Sequence, residues 1–222
     1  MKILCVADHI DPLVYSPQIK NRFADIDFVI SCGDLRFHYY DFIVSSLNKP
    51  LYFVFGNHRL DEMGYYNKKY RNEPAINFMH EVSKYPGGNI YIDSRVVIRN
   101  NVILAGLGGS RIYNGGKNQF TEFQMMLKIV KLIPGLLWNK LRRGRYLDIL
   151  VTHAPPFGVQ DKEDPCHQGF RVFRRFLKWF KPRYLIHGHI HLYNRNETSR
   201  TVFLNTTVVN AYNHTIVELH GE

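Results

Sequence analysis

The chain has 222 residues, 45% of them hydrophobic, enough to bury a full core, and is expected to form one domain over residues 1–222. No apolar run approaches the ~20 residues of a membrane-crossing helix, which excludes a protein built on such spans. Lys and Arg outnumber Asp and Glu by 29 to 19, and the resulting net charge of +10 would draw a phosphate ester, a nucleic acid or an acidic membrane without selecting among them.

Apolar runs at 3–7, 28–32 and 51–55 read as buried strands, each closed by a polar motif. Residues 17–23 and 39–47, the latter with Asp41 in its first turn, supply helices between them. This alternation predicts an α/β sheet that starts with parallel strands. Runs at 90–92, 95–99 and 102–107 are close in sequence and predict antiparallel pairing, with a turn at Asn100-Asn101. Gly106, Gly108 and Gly109 force a further turn at a strand end.

Residues 121–133 have helical apolar spacing and should stop at Pro134-Gly135. A strand at 147–151 is followed by a helix marked by Phe170, Phe173, Leu177 and Phe180 and ended at Lys181-Pro182. The strand 184–186 and closing strands at 201–204, 207–210 and 215–219 complete the series. Cys5, Cys32 and Cys166 lack CxxC spacing and read as reduced thiols, with Cys166, beside His167, a candidate reactive thiol. Met1 to Ala7 show no signal-peptide pattern, so a cytoplasmic location is the default and the glycosylation patterns at Asn196, Asn205 and Asn213 carry no meaning.

Five motifs punctuate these elements: Asp8-His9-Ile10, Gly33-Asp34, Gly56-Asn57-His58, Thr152-His153-Ala154-Pro155-Pro156 and Gly188-His189-Ile190-His191. In open α/β sheets, ligands gather at the carboxyl ends of strands, where this reading puts Asp8, Asp34, Asn57, His153 and His189. Two carboxylates, an amide oxygen and several imidazoles suit zinc, iron or manganese. If Gly188 to His191 stays extended, alternation points His189 and His191 the same way.

From Asp8 to His191 the order and spacing resemble the calcineurin-like metallophosphoesterase family, with its pattern D-x-H, G-D, G-N-H-[DE], a later His and G-H-x-H. The resemblance implies two packed mixed β-sheets flanked by helices, a four-layer α/β/β/α fold, with a dinuclear metal site at one edge. It further implies that Asp34 bridges two divalent metal ions, that Asp8 and His191 serve the first, and that Asn57, His153 and His189 serve the second. His58 would be the catalytic imidazole that contacts phosphate and assists the leaving group. The nucleophile would be a hydroxide held by the metals, since coordination lowers the pKa of water toward ~7.

Two positions depart from the family's pattern. Ile10 stands where its second imidazole would be, and His9, one residue early, faces the wrong side unless the backbone turns at Asp8. Arg59 replaces the acid after G-N-H; it cannot orient an imidazole, though its fork could hold a substrate phosphate, and Asp61 or Glu62 could supply the missing carboxylate. His38, His80, His214 and His220 read as ordinary surface or core residues, and His167 as either a lining of the substrate cleft or, the preferred reading, a helix-entry residue. Lys140, Arg142, Arg143 and Arg145 beside Leu136, Leu137, Trp138 and Leu141, like Arg174, Arg175 and Lys178, offer two readings, an amphipathic face for an anionic membrane or nucleic acid, or, the preferred one, solvated charges with the apolar side packed on the fold.

The leading expectation is a cytoplasmic, metal-dependent hydrolase of phosphate mono- or diesters. The alternatives are an interaction or scaffold protein of the same fold with little catalysis, and a nuclease, which the charge permits but nothing favours. Specificity is expected in the irregular segments 61–70, 111–120 and 158–169.

Overall fold

A computed structural model describes residues 1–66, 88–194 and 197–219. His80, Asn196, His220 and residues 67–70 lie outside the described residues. Lys2–Ala7 (β1), Phe28–Ser31 (β2), Leu51–Phe53 (β3) and Asn89–Tyr91 (β4) are parallel neighbours in that order, and Asn213–Glu218 (β13) lies antiparallel on β1. A second sheet has Val102–Leu107 (β6), Ile149–Thr152 (β9), Tyr184–His187 (β10) and Thr206–Asn210 (β12) parallel at its centre. Its edges, Val96–Arg99 (β5) and Arg200–Phe203 (β11), pair antiparallel with β6 and β12. Ser110–Arg111 (β7) and Gln119–Phe120 (β8) form a small separate pair.

The alternation of side chains along each strand builds the layers. In β1, Ile3, Cys5 and Ala7 enter a core shared with Ile149 and Val151 of β9, while Leu4 and Val6 face Ile19 and Ile43 on the opposite side. Those two belong to the helices Ile19–Arg22 (α1) and Phe37–Leu47 (α2), which cover the first sheet with the short Met63–Tyr66 (α3). Leu150 of β9 points the other way, into a third core under Glu122–Arg143 (α4) and Arg171–Phe180 (α5). Each large side chain taken fully from water contributes about 1.5–3 kcal/mol, so three apolar interfaces make the four layers cohere. Two packed sheets with helices outside each is the predicted architecture.

Three local expectations fail. β4 does not pair with β5; it adds to the first sheet, parallel to β3, because its partner is chosen across the fold and not by proximity in sequence. Asp41 falls outside the first turn of α2, which starts two residues earlier than its apolar pattern suggests. The third failure is larger. α4 does not stop at Pro134-Gly135 but runs to Arg143.

Proline in a helix interior loses a hydrogen bond and costs about 3 kcal/mol. Here the apolar face continues on both sides of it, with Met125, Ile129, Leu132 and Leu136 all buried. A capping box between Thr121 and Gln124 fixes the start, and Gly144, at φ 74°, ends the helix.

Candidate active site at the carboxyl edge of both sheets

Every motif emerges at the carboxyl end of a strand: Asp8 after β1, Asp34 after β2, Asn57 after β3, His153 after β9 and His189 after β10. Asp8, Asp34 and His189 all hold left-handed backbone, with φ of 65°, 60° and 67°. Side chains rarely tolerate this region, and functional sites are where it collects. The Asp8 N–H donates to Gly33 O at 3.1 Å, and the His189 N–H donates to both Asp8 carboxylate oxygens at 3.0 and 2.9 Å, which ties the two sheet edges together. Gly56 and Gly188 permit this closeness. A Cβ on Gly56 would lie 2.1 Å from Asp34 Oδ1, and one on Gly188 would lie 2.6 Å from Asp8 Oδ2.

Ligand-type atoms of Asp8, Asp34 and His153 lie within 4.8 Å of one another. His153 is wholly buried, and its Nδ1 donates to Cys32 O at 2.8 Å, so Nε2 is the nitrogen turned to the cluster. Nε2 sits 3.0 Å from Asn57 Oδ1 and 3.3 Å from Asp34 Oδ2. Asp34 Oδ1 meanwhile accepts the His58 N–H at 2.8 Å. His189 packs its ring 4.8 Å from that of His153, and its Nε2 donates to Cys166 O at 2.6 Å, leaving Nδ1 for another partner. A carbonyl fixing one ring nitrogen while the other faces a cluster of oxygens is the arrangement that metal-binding imidazoles adopt.

Charges follow the geometry. Burial pushes the Asp8 carboxyl up to about 7, helped by Asp34 and opposed by His153 and the His189 N–H. Burial also works against a charged Asp34, but His153 and the His58 N–H outweigh it and hold this carboxyl at about 2. For His153 burial favours the neutral ring, yet Asp34 and Asp8 raise it to about 9. Burial, with the His153 charge, lowers His189 to about 3, a neutral imidazole fit for ligation. A cation entering this cluster would displace its protons, so its binding weakens as pH falls.

The other half is more open. Asp8, Asp34, His58, Arg59 and His191 line a cleft, with His58 and Arg59 exposed and Arg59 at φ 51°. His191 does not reach it along an extended strand: the left-handed turn at His189 breaks the alternation expected for Gly188 to His191. Tyr212 stacks on His191 at 4.9 Å, and the His191 Nδ1 meets the Tyr193 hydroxyl at 2.8 Å.

The backbone does turn early at Asp8, but His9 stays exposed, its ring 6.4 Å from Tyr212 and outside the Asp8–Asp34–His153 trio. Ile10 packs with the core under α1 and α2 and offers nothing to the cleft. His167 is held by Asp164, with Nδ1 at 2.8 Å, and its ring lies 5.4 Å from His189, so it borders the site instead of serving only as a helix entry. His214 pairs with Asp11 at 2.5 Å and His38 rests against Tyr15.

Several supporting residues lie outside the five motifs. Asn118, at φ 55°, donates to Gly56 O at 2.6 Å, and Asn57 Nδ2 donates to the Tyr113 hydroxyl at 3.2 Å. Buried His187 donates from Nδ1 to Gly188 O at 2.8 Å, while its Nε2 meets the Gln160 amide at 2.7 Å. The motif Gly188-His189-Ile190-His191 does not include His187, although its place at the end of β10, directly before the motif, is a signal that could have found it.

No curated protein sequence matches this chain. Solved structures do. One crystal structure aligns over 97% of this chain and 94% of its own, with a TM-score of 0.63 at 13% identity. TT1561 of Thermus thermophilus aligns over 95% and 88%, with a TM-score of 0.58 at 12% identity. GAP50, the anchor in the inner membrane complex of Plasmodium, aligns over 95% and 70%, with a TM-score of 0.50 at 13% identity. These likenesses concern the fold. The model of the calcineurin-like phosphoesterases matches residues 1–193, which takes in all five motifs, and the chain belongs to that family.

Proposed function

We propose that this protein hydrolyses phosphate mono- or diesters with two divalent cations, manganese, iron or zinc, held at the carboxyl edge of the sheets. The observation that carries the reading is that Asn57 Oδ1 and Asp34 Oδ2 lie 3.0 and 3.3 Å from His153 Nε2. Oxygen and imidazole donors in this mixture suit those metals.

Asn57, His153 and His189 would hold one cation, Asp8 and His191 the other, and Asp34 would serve both. When bound, the cations supply Lewis acidity toward the phosphoryl oxygens and lower the pKa of a coordinated water. The chain's own residues do the rest. His58, exposed at the cleft, donates a proton to the departing oxygen, a role worth about 10²–10⁴ in rate. Arg59 offers its fork to the phosphate. The carbonyls of Cys32 and Cys166 keep His153 and His189 in one tautomer each.

Ile10 in place of an imidazole and Arg59 in place of an acid favour a second reading, an interaction protein of the same fold with weak catalysis. Metal content after manganese loading, together with hydrolysis of p-nitrophenyl phosphate and its diester, decides between them. Two equivalents and turnover abolished by Asp34→Ala support the hydrolase. Undiminished turnover in Asp34→Ala overturns it, and no turnover with fewer than two equivalents supports the second reading.

A further inference from the structure

α4 has one face in the core and another that nothing among the described residues covers. Phe123, Leu127, Val130, Leu137, Trp138 and Leu141 are 47–78% exposed, with Leu141 at 78% and Phe123 at 71%. At about 100° per residue these six, with exposed Pro134 among them, fall within a single arc opposite the buried residues. The expectation that the apolar side of this segment packs on the fold is therefore overturned: Leu136 is buried, but Leu137, Trp138 and Leu141 project outward.

The charges beside the ridge are of one sign. Exposed Lys131 and Arg142 flank it on one side and Lys140 on the other, while Arg142 lies over the Trp138 ring at 4.8 Å. The single acid of the helix, Glu122, is engaged with the backbone N–H groups of Arg171 and Val172 at 2.8 and 3.0 Å. α5, packed on the same sheet, adds exposed Arg174, Arg175 and Lys178.

We infer that α4 is an interfacial helix that lays this ridge on an anionic lipid surface. A convex ridge of Leu, Phe and Trp edged by cations enters the boundary between headgroups and acyl chains, where the cations reach lipid phosphates and carboxylates. A nucleic acid would match the charge and leave the leucines without an apolar partner. A second copy through the same ridge would set cations against cations with no free acid on either helix. No helix among the described residues is long and apolar enough to cross the bilayer, so the contact is peripheral.

The test is flotation of the full chain with phosphatidylcholine vesicles and with vesicles carrying roughly a third phosphatidylserine, which supplies the negative surface potential. The wild type floats with the anionic vesicles only. Leu137→Glu with Leu141→Glu abolishes flotation while hydrolysis of a soluble ester and the thermal melt stay unchanged. Lys131→Gln or Arg142→Gln weakens partition by on the order of fivefold.

Because α4 also covers a core, an independent readout is fluorescence of Trp138 in a Trp179→Phe background, which shifts to the blue on anionic vesicles. Failure of the wild type to float overturns the inference, as does equal flotation by the double variant. So does a dimer in sedimentation that the double variant dissolves, or a partner protein that displaces the vesicles without lipid shift of Trp138.

Discussion

The two halves of the candidate centre are built to different standards. Around Asn57, His153 and His189 the ligand atoms are buried, and a carbonyl fixes each imidazole from behind. Around Asp8 and His191 one position of the family pattern is Ile10, a partly buried side chain packed against the core, and His191 rests on tyrosines at the cleft wall. Preorganisation separates them: a buried ligand with a fixed tautomer loses little freedom on binding, whereas a half-exposed one must be ordered. The first half should therefore bind a cation tightly and the second weakly.

The largest effect belongs to the residue that both proposed halves would share. Asp34→Ala removes the oxygens facing His153 and the acceptor of the His58 N–H together, and turnover of a phosphodiester should fall to background. Metal content should fall in both halves, as mass spectrometry would register. Loss of one equivalent alone would mean that Asp34 serves only one half.

His153→Ala and His191→Ala sharpen the contrast. The first should eliminate the tight step in a calorimetric manganese titration, and the second the weak step. If both variants lose the same step, the halves are one site and the comparison fails. Tyr212→Leu is the milder version: it removes the ring stacked on His191 and should weaken the second step about 10–100-fold, the usual cost of losing a ligand's support.

Much of this candidate centre was legible before any coordinates, because the residues proposed to line it follow strands whose apolar runs are unmistakable. Asp8, Asp34, Asn57, His153 and His189 all stand where a strand's hydrophobic pattern ends. The support was hidden for a physical reason. Asn118, Tyr113 and Tyr212 reach the site across the fold, and nothing in their local sequence encodes a partner so distant along the chain. Left-handed backbone at Asp8 and His189 was equally unreadable, since neither is glycine and tertiary hydrogen bonds hold them there. Pro134 misled for a related reason: packing on both sides of it overrides a local stop signal.

The smallest effect should come from behind the better-built half. His187 sits fully buried beneath the Gly188 turn, and burial lowers it to about 4, so it is a neutral ring that needs a donor at Nε2. Gln160 is that donor, with its amide nitrogen 2.7 Å away. Gln160→Leu removes the hydrogen bond while keeping most of the volume, and leaves a buried nitrogen without its partner at a cost of about 1–3 kcal/mol. Urea unfolding should show that loss with the slope unchanged. If the turn depends on His187, His189 shifts as well and the tight manganese step weakens with stability. If stability falls alone, the Asp8–His189 hydrogen bonds suffice to hold the turn, and the tight half owes its order to the contact between the sheets.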